Sequence, residues 1–210
     1  MKTIEALSWR YATKKFDSSK LVENKKLEKI KNAFNLTPTS YGLQPIKLII
    51  IQNQDLKNKL LPYSYNQNQI VDASHLLVFC IDNIIDKEFI LKNFDLIKSV
   101  RNTPDEILNP YKDYLVNHFN QLSSEEIIEW ATNQAYLAMG NVLTVSALEK
   151  IDACPMEGFI PEKFTEILGL EQFDLTPVLV MPIGYRDKKD EFSSMKKVRK
   201  PLEEVIIEMN

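Results

Sequence analysis

The chain has 210 residues, of which 44% are hydrophobic and 26% charged, with a formal net charge of −3 at neutral pH. This is the composition of a globular protein with enough chain to bury a sizeable core, and its near-neutral balance gives no global attraction to nucleic acid. The apolar runs Leu48–Ile51 and Leu76–Ile81 are far too short to cross a bilayer. The opening MKTIEALSWRYATKK lacks the apolar core and cleavage site of a signal peptide, so no membrane partner and a cytoplasmic location are expected. Two cysteines, Cys80 and Cys154, lie in separate apolar runs and read as free buried thiols.

Residues 3–9 read as a short helix with Ile4 and Leu7 turned inward. A cation-rich stretch from Arg10 to Asp17 follows, and residues 21–36 carry a helical face at Leu27, Ile30 and Phe34. Pro38, Gly42 and Pro45 stop regular structure over 37–45. Ile46–Gln52 is a β-branched strand, residues 54–61 a short helix, and Tyr63–Ile70 a polar, aromatic loop. Leu76–Ile81 is a buried strand. Residues 86–121 are helical, with a face at Ile90, Phe94 and Ile97, but Thr103-Pro104 and Asn109-Pro110 interrupt the pattern, so this region is expected to vary in position.

Ser123 and Glu126 have capping-box spacing and open a long helix running to about Lys150. Its second half is apolar on nearly every side, which predicts burial in the centre of the fold or in a subunit interface. Gln134, Ala138 and Asn141 form a narrow small-and-polar stripe on it, because seven residues are nearly two turns. A short strand at 151–154 leads into a loop. Residues 161–168 are a helix ended by Gly169, Pro177–Tyr185 is a central strand, and 186–201 is basic and extended. Glu203–Met209 reads as a final strand or an arm. Helices and strands mix without regular βαβ alternation, which gives an α+β fold in a single domain over 1–210.

The histidines are His75 and His118, and neither C-x-x-C nor H-E-x-x-H occurs, so no metal site is expected. There is no G-x-S-x-G and no local Cys-His signature, so no catalytic side chain is named. Neither a G-x-G-x-x-G nor a Walker lysine loop is present. Two cation pairs remain. Arg10 and Lys14 are four apart, and Lys197 and Arg199 are two apart, on one side of an extended chain. Converging, they would neutralise a phosphate monoester; separately, each is a solvated cluster. Lys188, Lys189, Lys196 and Lys200 read only as solvated. Ser40, Gln44, Asn66, Gln69 and Gln134 would suit a flat heteroaromatic ring with carbonyls and ring nitrogens, or would serve turn chemistry. Within Ile151–Phe159, Gly158 either lets backbone approach a ligand or makes a tight buried turn.

Taken in order, these segments resemble the FMN-dependent nitroreductase and NAD(P)H flavin reductase family. Arg10-Tyr11-Ala12-Thr13-Lys14-x-Phe16-Asp17 is similar to the family's opening R-x-S-x-K-x-F-D, and Thr37-Pro38-Thr39-Ser40-x-x-x-Gln44-Pro45 to its S-P-S-S-x-N-x-Q-P. Asp72-Ala73-Ser74-His75, Gln134-x-Tyr136-x-x-x-Gly140-Asn141, Pro155-x-Glu157-Gly158-Phe159, Gly184-Tyr185-Arg186 and Lys197-x-Arg199 follow in the family's order, so the resemblance covers 10–201.

The resemblance implies a mainly antiparallel central sheet flanked by helices, a long buried helix, an extended C-terminal arm, and an intertwined homodimer with two FMN molecules at its interface. Arg10, Lys14, Lys197 and Arg199 would hold the phosphate and flank the isoalloxazine, with Tyr11 and Ala12 in the same segment. Ala12 stands where a serine is common and can offer only backbone. Thr39 and Ser40 would come from the partner subunit. Gly42 replaces a frequent asparagine and widens the pocket, and Ile46 replaces a frequent tryptophan. Asn66 and Gln134 would bond the ring or ribityl chain. Pro155, Glu157 and Gly158 would present backbone, with an amide near the flavin N5. Gln69 stands where many members have lysine, which leaves Lys14 as the cation near the pyrimidine edge and predicts a lower flavin potential.

The implied activity is ping-pong hydride transfer from NADH or NADPH, through flavin N5, to a quinone, nitroaromatic or flavin acceptor. Other readings are a specialised flavin or pteridine reductase, an FMN-binding regulatory or storage protein without turnover, and a structural dimer without cofactor.

Overall fold

The computed structural model describes residues 2–209. Its frame is a four-stranded antiparallel sheet in the order β1-β2-β4-β3, formed by β1 (Ile46–Ile51), β2 (His75–Asp82), β3 (Asp152–Ala153) and β4 (Leu175–Gly184). Strand β2 lies between β1 and β4 and is buried through Ile81, as its unbroken apolar run requires. Successive side chains of a strand face opposite ways. Leu77, Phe79 and Ile81 therefore join one core with α2 (Asn24–Asn35), α5 (Lys87–Arg101), α6 (Asp105–Phe119) and α7 (Ser124–Leu148). Leu76, Val78 and Cys80 join the other, against α3 (Gln54–Leu60) and α8 (Pro161–Leu168). The remaining helices are α1 (Thr3–Trp9), the single turn α4 (Gln69–Asp72) and α9 (Leu202–Val205). None is long and apolar enough to cross a membrane.

The long helix starts where the capping box places it. The Glu126 amide donates to Ser123 Oγ at 3.2 Å, and the Ser123 amide to Glu126 Oε2 at 2.7 Å. Gly169 ends α8 in the left-handed conformation at φ +63°, a position that tolerates a side chain poorly. At Gly184 an added Cβ would lie 3.0 Å from both the Ser74 amide nitrogen and the Phe16 ring, so this end of β4 needs glycine for close approach.

Four expectations change. Ile4 and Leu7 are not turned inward: they are 74% and 38% exposed, and Ala6 is the buried residue of α1. Thr103-Pro104 does break the helical region, with Asn102 left-handed at the end of α5, but Pro110 sits inside α6. Its missing N–H removes one intrahelical bond, while Leu115 and Phe119 on the same helix are fully packed. The loop over 63–70 contains a 3₁₀ turn at its start and the first residues of α4 at its end. Finally, 203–209 forms no strand among the described residues; it is part of α9 followed by extended, exposed chain. On α7, Tyr136 and Leu137 remain about half exposed, so one apolar face of the long helix is uncovered in the single chain.

Candidate functional site

The site is built on the segment after α1. From Arg10 the chain is extended and runs beside β3, with Ala12 bridged to Ala153. Side chains there alternate in direction. Trp9 and Tyr11 both lie against the guanidinium of Arg186, at 4.2 and 4.6 Å from their ring centroids. Arg186 is held in turn by the buried Asp152, Nε to Oδ1 at 2.7 Å. This stack braces the backbone on either side of Arg10, which lines a cleft of about 490 Å³ with Lys14, Ser193, Lys197 and Arg199.

The second cation pair is brought to the first by the tail. Lys197 Nζ donates to the Arg10 carbonyl. Burial and the nearby Arg199 lower the Arg10 guanidinium below its ordinary pKa, and burial, Arg10 and Arg199 do the same to Lys197. Like charges are thus crowded together, and none of Arg10, Lys14, Lys197 or Arg199 forms an ion pair with a carboxylate among the described residues. An anion entering the cleft would relieve that repulsion.

Lys14 continues the cluster inward, its Nζ 3.7 Å from Cys154 Sγ. Cys154 has no basic neighbour in sequence, and folding supplies one. Burial still raises the thiol above its ordinary pKa, against the pull of Lys14, Arg10 and Gln69. Cys80, buried in β2, is pushed up to about 12.

Beyond Cys154, Met156 exchanges backbone bonds with Val180 of β4 at 2.9 and 3.0 Å, which holds Pro155 and Glu157 against the sheet. Glu157 Oε1 accepts from Tyr136 Oη of α7 at 2.6 Å, and this bond raises the tyrosine pKa. The Gly158 carbonyl accepts from Gln67 Nε2 at 3.1 Å, and Gln69 Nε2 donates to Gln67 Oε1 at 3.2 Å. The amide that reaches this loop is therefore Gln67, which the sequence did not single out. Asn66 occupies a left-handed turn at φ +54° and is exposed.

A Cβ on Gly158 would meet Gln67 Nε2 at 3.0 Å and the Tyr65 ring at 3.6 Å. A side chain there acts first on those two residues, not on open space in front of the loop. Gly158→Val should still fold, losing about 1 kcal/mol with the Gln67 bond, but should purify with less of the flavin that the family resemblance implies. A fully loaded, yellow Gly158→Val protein would count against a ligand wall at this loop.

Thr39, Ser40, Gly42 and Gln134 gather elsewhere. The Ser40 amide donates to Gln134 Oε1 at 2.9 Å, and Gln134 Nε2 to the Trp130 carbonyl at 2.9 Å. Thr39 Oγ1 accepts from the Gln44 amide at 3.0 Å, and Gly42 turns the loop at φ +70°. Among the described residues no hydrogen bond or ion pair joins this group to the cation cluster. Asn141 is occupied structurally, donating to the Ala33 carbonyl and Thr37 Oγ1 at 2.8 and 3.0 Å.

The model of the nitroreductase family matches residues 7–185. The chain belongs to the nitroreductase family. A protein of Staphylococcus haemolyticus named “Putative NAD(P)H nitroreductase” is 34% identical over 97% of this chain and 95% of its own length. Among solved structures, a “putative nitroreductase” of Bacillus subtilis superposes with a TM-score of 0.87 at 21% identity, covering 98% of each chain. A “putative nitroreductase in complex with FMN” from Exiguobacterium sibiricum reaches 0.84 at 18% identity, over 100% of this chain and 98% of that one. The family fold, an antiparallel sheet between helical layers with a long central helix, is the one seen here.

Proposed function

We propose that this protein is a homodimeric FMN-dependent NAD(P)H oxidoreductase, one FMN-binding domain over 1–210, acting on a small-molecule quinone, nitroaromatic or flavin acceptor. The observation that carries the reading is the crowding of Arg10, Lys197 and Arg199 in one cleft, at a cost to the charged forms of Arg10 and Lys197 and without a carboxylate ion-pair partner among the described residues. A phosphate monoester fits that donor set. Bound there, FMN would supply the redox chemistry, accepting a hydride from NADH or NADPH and passing it to the acceptor.

The residues of this chain bind and orient. Arg10, Lys197 and Arg199 hold the phosphate, and Tyr11 and Ala12 carry the backbone that presents Arg10. Lys14 and Gln69 lie at the inner end, where Lys14 is the cation available to a developing negative charge on the ring. Pro155, Glu157 and Gly158 form the wall braced by Gln67, beside Asn66. Thr39, Ser40, Gly42 and Gln134, which stand apart in one chain, complete the site of a second copy. The uncovered face of α7 at Tyr136 and Leu137 supports such a pairing.

The test is the absorption spectrum of the purified protein, followed by anaerobic addition of NADH and of NADPH. Yellow protein bleached by either, and re-oxidised by a quinone or nitroaromatic, is the expected result. Yellow protein that neither nucleotide bleaches would make it an FMN-binding protein without turnover, and colourless protein that takes up no FMN would overturn the reading.

A further inference from the structure

Asp190 lies in a lysine-rich stretch and yet is 2% exposed. Its Oδ2 accepts from the Lys14 amide at 2.8 Å, the Tyr11 hydroxyl at 2.9 Å and the Lys15 amide at 3.1 Å. Its Oδ1 accepts from the Phe192 amide at 3.2 Å, which starts the 3₁₀ turn Glu191–Ser194. No lysine or arginine side chain pairs with it among the described residues. All of its donors come from two segments: the one that carries Arg10 and Lys14, and the one that leads to Lys197 and Arg199.

We propose that Asp190 is a positioning residue that clamps these two segments together and so sets the spacing of Arg10, Lys197 and Arg199 around the phosphate of the flavin. The inference rests on the phosphate reading of that cluster. An ionised carboxylate whose bonds all come from backbone amides and a phenol holds geometry without occupying the donors of the nearby cations, which stay open to a ligand. That is the requirement at a site whose cations must stay free for a ligand. The clamp acts at both ends. It turns the amides of Lys14 and Lys15 toward one oxygen, and it begins the turn after which Lys197 reaches back to the Arg10 carbonyl. Burial alone would raise the Asp190 pKa; the Lys15 and Lys14 amides, the Tyr11 hydroxyl and the Phe192 amide outweigh it and bring the pKa below the ordinary value, so the group is ionised at neutral pH.

The test compares two ligands that differ only in the phosphate. Full-length protein stripped of flavin is titrated with FMN and with riboflavin, for the natural sequence, Asp190→Ala, Asp190→Asn, Tyr11→Phe and Arg199→Ala. Asp190→Ala is expected to weaken FMN tenfold or more and riboflavin less than twofold. Asp190→Asn should recover part of that loss, because its amide oxygen can accept the three bonds made by Oδ2 while its NH2 group cannot accept from the Phe192 amide. Tyr11→Phe, which removes one donor and keeps the stack on Arg186, should weaken FMN twofold to fivefold without affecting riboflavin.

Equal loss for both ligands in Asp190→Ala, or no loss, would overturn the proposal. Should Asp190→Ala fail to fold, an unchanged FMN-to-riboflavin ratio in Tyr11→Phe would overturn it instead. Arg199→Ala separates the two claims. If it too leaves the ratio unchanged, the phosphate reading of the cluster fails; if it lowers FMN alone while Asp190→Ala does not, only the clamp fails.

Discussion

Ending the chain after Pro201 is expected to give a folded monomer that binds FMN at least tenfold more weakly than the full chain. Leu202, Val205, Ile206, Ile207 and Met209 are between 52% and 92% exposed, which leaves more than half of each in water. Strand β1 is an outer strand of the sheet, and its residues Leu48 and Ile50 line a groove of about 450 Å³ with Leu56, Leu168, Leu170 and Phe173. An open strand edge is a template for a strand from another chain. An arm reaching across from the second copy of the proposed dimer would lie along this edge. Each buried side chain of this kind contributes about 1.5–3 kcal/mol, against about 1–2 kcal/mol to fix each residue's backbone. The arm therefore holds only through backbone pairing and apolar burial together, and removing it loses both. Gel filtration with the visible spectrum reads the outcome, and a truncated protein that stays dimeric and yellow would sink the arrangement.

Replacing Lys14 by methionine should lower the midpoint potential of the bound FMN by several tens of millivolts. The replacement keeps length and apolar bulk and removes the charge. A unit charge about 5 Å from a developing anion contributes about 3 kcal/mol at an effective dielectric of about 20, which for a two-electron couple is about 70 mV before screening. The reciprocal change adds a cation. Gln69 is 6% exposed and helps pull the Cys154 thiol pKa down, as Lys14 does. Gln69→Lys should raise the potential, with the new amine's own pKa depressed by burial and by Lys14. Spectroelectrochemistry measures both. Unchanged potentials in the two variants would remove Lys14 from the inner end of the site.

Much of the frame is legible in the sequence because it is local. The capping box at Ser123, the apolar runs of β2 and β4, and Gly169 at the end of α8 each announce an element within a few residues. The cation pairs are legible as pairs, and only the family resemblance brings them together, because in the fold their approach runs through contacts between positions far apart in sequence: Lys197 on the Arg10 carbonyl and Asp190 on the Lys14 and Lys15 amides. Asp190 is hidden for a further reason: a carboxylate among lysines has the pattern of a solvated surface. Gln67 is one of several amides in a short polar run, and only the backbone turn at Asn66 decides which of them reaches Gly158. Ile4, Leu7 and the residues after Leu202 have the patterns of buried elements. A helical or strand-like pattern states that a face is apolar and leaves open which molecule covers it.

The separation of Ser40 and Gln134 from the cation cluster within one chain has a genetic counterpart. A lesion at Arg199 and a lesion at Gln134 would damage opposite contributions to a shared site. Two such inactive proteins, co-expressed, would form mixed pairs in which one of the two sites inherits only intact contributions. Partial recovery of flavin content and activity in the mixture, absent from either variant alone, is how a site divided between subunits declares itself in a cell carrying two different mutant alleles.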